Sequence, residues 1–155
     1  PGGWVDDGIK ISDLFLDKTL LYYAEDRGGH QEKFYTVNGK DDLPLIILVN
    51  ENSASSSEIV TAAMKDYERA TIIGEKTFGK GIIQYVIPLS DGKSGVQFTY
   101  AQYFSPLGSK VHKEGVTPHI VVEMPEELKS KYFELGDMAD PQLARAHEEA
   151  LKTIQ

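Results

Sequence analysis

Four serines lie in the polar segment 50–58, directly after the apolar run 45–49 and before a stretch with helical periodicity. The apolar run is typical of a strand that is buried on both faces, and the carboxyl ends of strands in an open α/β sheet are where ligands and chemistry collect. A serine hydroxyl held there, at a helix N-terminus, is a candidate nucleophile. The same residues also fit a structural role, because Ser55-x-x-Glu58 before an apolar run is a helix capping box.

Lys80 is a candidate general base for such a serine. It is flanked by Gly79 and Gly81 and followed by Gln84, and the alternation of side chains along a strand would put residues 80, 82 and 84 on one face. Only a neutral amine can accept the serine proton, so the mechanism requires burial of the lysine, which disfavours the charged form. Gln84 can orient the amine without adding a negative charge. The structural alternative for Lys80 is a solvated loop lysine, and for Gln84 it is a residue on the polar face of a hairpin.

The loop that carries Lys80 also matches most of a phosphate-binding loop, in the pattern Gly74-x-x-x-x-Gly79-Lys80. That pattern needs Ser or Thr after the lysine to hold magnesium, and the position is Gly81. The residues that follow predict a strand, whereas a phosphate-cradling loop leads into a helix. Nucleotide binding is therefore disfavoured.

The elements around these residues follow from periodicity and turn signals. Helices are predicted over 4–16, 55–69 and 141–151, the last with Asp140 as its cap and Pro141 at its first position. Strands are predicted over 20–24, 33–37, 45–49, 70–74, 82–89, 96–104 and 119–123, with a polar turn over 38–42. Residues 45–74 predict a parallel βαβ unit, and residues 82–104 predict a β-hairpin with a longer loop. We expect the strands at 20–24 and 33–37 to pair or lie close together.

The composition narrows the class of protein. A chain of 155 residues is long enough for one domain with a sizeable core. A net charge of −8 argues against binding to the phosphates of a nucleic acid, and no apolar run is long enough to span a membrane. The absence of cysteine excludes disulfides, zinc-thiolate sites and a cysteine nucleophile. The chain begins at Pro1 without a methionine, and we expect it to be a segment of a longer protein.

A Ser-His-Asp hydrolase is the alternative enzyme. The four histidines are His30, His112, His119 and His147. None has a recognisable partner motif, and each is typical of a surface histidine.

Two blocks of sequence, 49–59 and 73–81 with Gln84, are together similar to the carboxyl-terminal processing proteases, also called tail-specific proteases. Further segments of resemblance are Pro1-Gly2-Gly3, 101–108, 113–118 and 140–143. The resemblance covers nearly the whole chain. It implies an α/β, crotonase-like (ClpP/crotonase) protease core, present here in part, with a parallel βαβ unit, a β-hairpin and a C-terminal helix.

The resemblance also implies the roles of the catalytic side chains. The family's nucleophile, the serine three positions before the glutamate, corresponds to Ser55. Its general base corresponds to Lys80 and its orienting residue to Gln84. No metal or cofactor is needed for this Ser-Lys chemistry.

Backbone groups complete the expected site. The oxyanion donors implied by the resemblance are the N–H of Ser56 and an N–H of the glycine turn, from Gly2 or Gly3. Ser56 departs from the family, in which alanine is more common at this position. Glu58 is expected to support the site as its half of the helix cap.

For the whole chain, the resemblance implies the C-terminal part of a protease core over 1–124 and a helical extension over 125–155, packed on or beside it. A PDZ domain and the first core strands would lie outside the chain. The implied activity is a serine endopeptidase that cleaves proteins near accessible C-termini, at the cell envelope exterior, in the periplasm or after secretion. This segment would be inactive or weakly active alone. The rival is a non-catalytic peptide-binding or assembly module, which forms a homo-oligomer through an exposed sheet edge.

Overall fold

The computed structural model describes residues 1–37, 39 and 41–154. The predicted polar turn over 38–42 includes Asn38 and Lys40, which lie outside the described residues. The helices are α1 (Val5–Asp13), α2 (Ser56–Asp66) and α3 (Pro141–Ile154), with a short 3-10 helix at Glu126–Leu128. The strands are β1 (Leu20–Asp26), β2 (Gln31–Tyr35), β3 (Leu45–Val49), β4 (Ala70–Gly74), β5 (Ile82–Pro88), β6 (Gly95–Phe104) and β7 (Ile120–Val121).

A parallel sheet in the order β3-β4-β7 carries the serine segment. Strand β3 runs parallel to β4, with Leu45 opposite Ala70 and Val49 opposite Gly74, and α2 connects the two strands. The predicted βαβ unit is therefore confirmed. The last predicted strand is shorter than expected, because only Ile120–Val121 pairs with β4.

An antiparallel sheet in the order β2-β1-β6-β5 carries the segment that follows Lys80. The predicted β5–β6 hairpin is confirmed, and β1 and β2, which were expected to pair or lie close together, form an antiparallel pair. The pairing of β1 with β6, which puts Tyr23 opposite Phe104, joins distant parts of the sequence and was not predicted. The β5–β6 register shifts between Ile83 and Gln84, which is the mark of a β-bulge.

The core lies between α2 and the strands β1 and β4. Leu21 of β1, Ala63 and Met64 of α2, and Ile72 of β4 are completely buried. Burial of one such large apolar side chain stabilises the fold by about 1.5–3 kcal/mol. Truncation of Met64 to alanine would cost about 2–5 kcal/mol, because the removed contacts leave a cavity.

The expectation that the strand at 45–49 is buried on both faces is wrong. Leu48 is 39% exposed and the three residues before it are only partly buried, whereas Ile72 and Ile73 of β4 are fully buried. The reason is position, because β4 is the central strand of the parallel sheet and β3 is at its edge. A continuous apolar run does not say which of its faces is covered.

The helix ends differ from the predicted ones by a few residues. Helix α1 ends at Asp13 and α2 ends at Asp66, where Glu68 has a φ of 51° and the N–H of Arg69 donates to the Met64 carbonyl at 2.9 Å. A left-handed residue with such a bond back into the last turn terminates a helix.

Helix α3 begins as predicted. The Asp140 carboxylate accepts the N–H of Gln142 at 2.8 Å, and Pro141 is the first helical residue. The helix continues to Ile154, three residues beyond the predicted end, and contacts β3 and β4. Within residues 1–37, 39 and 41–154, no helix is both long enough and apolar enough to cross a membrane.

Candidate active site

Ser55 lies at a sharp turn between β3 and α2. It is the N-cap of α2 and has φ 59° and ψ −125°, a conformation that residues other than glycine rarely adopt. Such backbone strain costs about 1–3 kcal/mol and persists where surrounding contacts over-determine it, most often at functional sites. A strained strand-to-helix turn of this kind is also how other hydrolases expose a nucleophilic serine.

The four serines of the segment have different environments. The Ser53 hydroxyl accepts the N–H of Asn50 at 3.1 Å and so closes the turn after β3. The Ser56 hydroxyl accepts the N–H of Gly3 at 2.8 Å, and Ser57 lines a second cavity beside Gly3. Ser55 lines a cavity together with Lys80.

That cavity has a volume of about 250 Å³. Its polar residues come from the start of α2, the loop before β5 and the β5–β6 hairpin. Its apolar wall comes from helices α1 and α2 and from strand β5. The lining residues are Val5, Ser55, Ile59, Lys80, Ile82, Ile83, Gln84, Gln97 and Tyr103. The three side chains expected to do the chemistry are therefore brought to one cavity.

Lys80 precedes β5 and is held by its backbone, whose N–H donates to Glu58 at 2.8 Å. Its side chain is exposed in this chain, so the expected burial of the amine is not present. Among the described residues, no hydrogen bond joins Ser55 Oγ to Lys80 Nζ. Catalytic hydrogen bonds are often long before substrate binds, and an open cavity with both groups at its wall is compatible with that state.

Gln84 lines the cavity together with Lys80 and Ile82, in agreement with the alternation predicted for residues 80, 82 and 84. Ile83 lines the cavity as well, next to the point where the pairing of β5 with β6 shifts register. Gln97 of β6 donates its amide N–H to Gln84 Oε1 at 3.2 Å. Gln97, which the sequence did not single out, is thus a hydrogen-bond partner of the Gln84 amide.

Glu58 connects the serine turn to the lysine loop. Its side chain is completely buried. Oε2 accepts the N–H of Ser55 at 2.9 Å and of Lys80 at 2.8 Å, and Oε1 accepts the Thr77 hydroxyl at 2.6 Å and the Gly79 N–H at 2.7 Å. The predicted bond from the glutamate to the N-cap is confirmed. The three bonds to the loop were not predicted, although a buried acid must find several donors to offset its desolvation.

Tyr103 of β6 touches the backbone of both candidate catalytic residues. Its hydroxyl lies 2.8 Å from the Lys80 carbonyl oxygen and 3.1 Å from that of Ser55, and it donates its proton to them. Burial raises the pKa of Tyr103 far above its usual range, and the charge of Glu58 raises that pKa further. The hydroxyl therefore remains a donor at any physiological pH.

The glycine turn packs against the serine turn. Gly2 has a φ of 82°, and a Cβ at this position would lie 2.4 Å from the Ala54 carbonyl oxygen and 3.2 Å from the Ser56 nitrogen. Only glycine fits this close approach. The Gly3 N–H, one of the expected oxyanion donors, donates to the Ser56 hydroxyl and so already has an acceptor.

The described histidines do not contribute to this cavity. His119 accepts the N–H of Ile72 through Nδ1 at 3.1 Å, and Nδ1 of His112 is buried without a hydrogen-bond partner. Nothing in these positions favours the Ser-His-Asp alternative. Within the described residues, no group of acidic or histidine side chains is arranged to hold a metal ion.

Comparison with known proteins identifies the family. Residues 1–122 match the model of peptidase family S41. The chain is 47% identical over 127 residues to the carboxyl-terminal-processing protease of Synechocystis, covering 81% of this chain and 29% of that protein. It is 40% identical over 144 residues to the carboxy-terminal-processing protease of Bartonella bacilliformis, covering 88% of this chain and 32% of that protein.

A solved structure agrees with these relatives. The photosystem II D1 C-terminal processing protease superposes with a TM-score of 0.73 at 39% identity, covering 79% of this chain and 32% of that one. The chain thus spans about a third of the length of the proteases that it matches. By its sequence and its mixed α/β fold, the chain belongs to peptidase family S41, among the carboxyl-terminal processing proteases.

Proposed function

We propose that this chain is the C-terminal part of the catalytic core of a serine endopeptidase that uses Ser55, Lys80 and Gln84. The observation that carries the proposal is the joint position of Ser55 and Lys80 at one cavity, with the backbone N–H of each bound to the same oxygen of Glu58. The strained conformation of Ser55 supports its selection from the four serines.

The proposed reaction is acyl transfer. A neutral Lys80 amine takes the proton of the Ser55 hydroxyl as the oxygen attacks the scissile carbonyl. The protonated amine then gives that proton to the leaving amine of the substrate, and the acyl group stays on Ser55. Water, deprotonated by the same lysine, hydrolyses the ester and restores the enzyme. Gln84, itself held by Gln97, orients the amine.

Substrate completes the environment that the lysine needs. Lys80 is exposed in the free chain, whereas the proposed reaction needs its amine in the neutral form. A peptide laid against the apolar wall of Val5, Ile59 and Ile82 removes water from the cavity and so favours the neutral amine. The chemistry is therefore coupled to substrate binding.

Two backbone N–H groups are proposed to stabilise the oxyanion. One is the N–H of Ser56, next to the nucleophile, and the other belongs to the glycine turn. The Gly3 N–H serves only after it leaves the Ser56 hydroxyl, because one N–H cannot be fully donated to both acceptors. An oxyanion is a stronger acceptor than a neutral hydroxyl, which favours that exchange.

The matched proteases are about three times as long as the chain, and their names describe C-terminal processing. We propose that the whole protein carries a crotonase-like core, acts on protein substrates with accessible C-termini and works outside the cytoplasm. The 155-residue chain alone is then inactive or weakly active. Its residues 125–155 serve as a helical extension, in keeping with the contacts of α3 on β3 and β4.

Single substitutions in the full-length protein test the Ser-Lys assignment. Ser55→Ala and Lys80→Ala should abolish cleavage of a reporter peptide, and both should abolish labelling by a fluorophosphonate probe. Gln84→Ala should lower kcat without abolishing it. Ser57→Ala is the matched control and should retain activity. Wild-type cleavage by Ser55→Ala or Lys80→Ala would show that the assignment is wrong.

Exposed apolar residues favour the assembly role as a second candidate. Tyr85, Val86 and Ile87 of β5 and Val96 and Phe98 of β6 are each more than 40% exposed, and β5 is an edge strand. An unpaired apolar edge is a site for strand addition. Light scattering after size exclusion measures whether the 155-residue chain is a monomer or a dimer in solution. A dimer that the fluorophosphonate probe does not label would favour the assembly role for this chain.

A further inference from the structure

Tyr103 is the described side chain whose hydroxyl meets the main chain of both Ser55 and Lys80. The phenol oxygen lies 3.1 Å from Ser55 O and 2.8 Å from Lys80 O. A hydroxyl has one proton, so the two carbonyls share a three-centre hydrogen bond. The shared bond joins residues from the serine turn and the lysine loop at the floor of the cavity.

The backbone and ring of Tyr103 are firmly held. Tyr103 pairs with Ala24 of β1, and its backbone N–H donates to the Gly81 carbonyl at 3.0 Å. The ring is 2% exposed and packs edge-on against Tyr22, with ring centroids 6.1 Å apart. The hydroxyl therefore has a fixed position, and the two carbonyls are ordered relative to it.

The hydrogen bond to the Ser55 carbonyl oxygen also affects the direction of the next backbone N–H, which belongs to Ser56. The carbonyl of Ser55 and the N–H of Ser56 belong to one planar trans peptide unit and point in opposite directions. The Ser55 carbonyl also accepts the N–H of Glu58 at 2.8 Å and that of Ile59 at 3.2 Å, and the Tyr103 hydroxyl is a third donor to the same oxygen. Donors that hold this carbonyl also hold the direction of the Ser56 N–H. They also polarise the peptide, which makes that N–H a better donor. The ψ of −125° at Ser55, which sets this orientation, is a strained value that needs such support.

We propose that Tyr103 is a positioning residue that aims the Ser55–Ser56 peptide at the oxyanion and holds the Lys80 backbone beside it. This inference rests on the proposed Ser-Lys function. The Tyr103 hydroxyl is donated to the two carbonyls and its side chain is 2% exposed, so its proposed role needs no contact with the substrate. It acts through the peptide, whereas Glu58 holds the N–H groups of Ser55 and Lys80 from the other side.

Tyr103→Phe in the full-length protein is the test, because it removes the hydroxyl and keeps the ring. Tyr67→Phe is the matched control, since Tyr67 also donates its hydroxyl to a backbone carbonyl, that of Leu20, at 2.8 Å but away from the cavity. We expect Tyr103→Phe to lower kcat by about tenfold or more relative to Tyr67→Phe, with KM changed less than about twofold, because the peptide matters only when the oxyanion forms.

Inhibition by a peptide boronate gives an independent measurement of oxyanion stabilisation. The boronate forms a tetrahedral adduct with the serine, so its inhibition constant should rise by about the same factor as kcat falls. Equal kcat values for Tyr103→Phe and Tyr67→Phe would overturn the proposal. A loss of kcat matched by a loss of folded protein, with boronate affinity per folded molecule unchanged, would also overturn it. Wild-type activity in Ser55→Ala would overturn the proposed function itself.

Discussion

Oxygen Oε2 of Glu58 accepts the backbone N–H of Ser55 and that of Lys80, at 2.9 and 2.8 Å. A single buried atom thus touches the main chain of the candidate nucleophile and of its candidate base, which are on different elements. The other oxygen holds Thr77 and Gly79 in the same loop. One carboxylate therefore holds the backbone of both candidate catalytic residues in place.

Glu58→Gln tests this role. The amide has nearly the same shape, but its NH₂ would face two donors whichever way it is oriented, which leaves buried N–H or O–H groups without an acceptor. We expect a loss of about 2–4 kcal/mol in the free energy of unfolding, measured by urea denaturation. Glu127→Gln, on an exposed glutamate, is the control and should change stability by less than about 0.5 kcal/mol. Equal stability of the two variants would contradict the role of Glu58.

Gly2→Ala tests the contact between the glycine turn and the serine turn. The new Cβ would clash with the Ala54 carbonyl oxygen at 2.4 Å, in addition to the strain of a φ of 82°. Gly29→Ala is matched, because Gly29 has a φ of 81° and no atom within 4 Å of the new Cβ.

The control should lose about 1–2 kcal/mol from the left-handed backbone alone. Gly2→Ala should lose more in denaturant titrations and should also lower probe labelling of Ser55, because the turn is displaced. The contact is not needed if both variants behave alike in the two measurements.

His119 should make stability depend on pH. Its Nδ1 accepts the Ile72 N–H, and desolvation lowers the pKa of His119, as does the charge of Lys65, against an opposing effect of Glu68. The folded protein therefore binds this proton more weakly than the unfolded chain. The contribution of neutral His119 to the free energy of unfolding is retained at pH values above about 6.5, the pKa of histidine in an unfolded chain. It is lost as the pH falls below that value.

Urea unfolding of the wild type and His119→Asn between about pH 5 and 8 measures this effect. The asparagine can accept the Ile72 N–H but does not titrate, so the wild type should lose more stability than the variant on acidification. His30→Asn, on an exposed loop, should follow the wild type. Parallel curves for the wild type and His119→Asn would exclude the effect.

Arg69→Lys tests how the segment before β3 is held. The Arg69 guanidinium donates to the carbonyls of Phe15, Leu43 and Asp41 and lies over the Phe15 ring, 5.4 Å from its centroid. A lysine has no planar fork for these directions. We expect a loss of about 1–2 kcal/mol in thermal or urea unfolding, against no change for Arg27→Lys on an exposed loop. A stable variant would show that the segment needs no such donor.

The sequence predicted what short-range patterns can encode. The βαβ unit, the hairpin and the Asp140 cap follow from residues within one or two elements of each other, and the structure has all three. The spacing of Lys80 and Gln84 pointed to one cavity, which both residues line, whereas the β-bulge in the pairing of β5 with β6 was not predicted. No local pattern announces such a bulge.

Contacts between distant segments were missed for a physical reason. Tyr103 reaches Ser55 because β6 pairs with both β1 and β5, and Glu58 reaches Lys80 because the chain returns past α2. Neither of these two contacts produces a periodic pattern in the sequence. A glutamate at the third helical position predicts a helix cap whether or not it also binds a loop 22 residues away.

The separation of the chain into two sheets has a mechanical consequence. Ser55 follows β3 of the parallel sheet, whereas Lys80 leads into β5 of the antiparallel sheet, and the segment 75–81 joins the two. A small rotation of one sheet against the other would therefore change the distance between the Ser55 hydroxyl and the Lys80 amine. A force on either sheet would alter that distance without any contact with the two side chains.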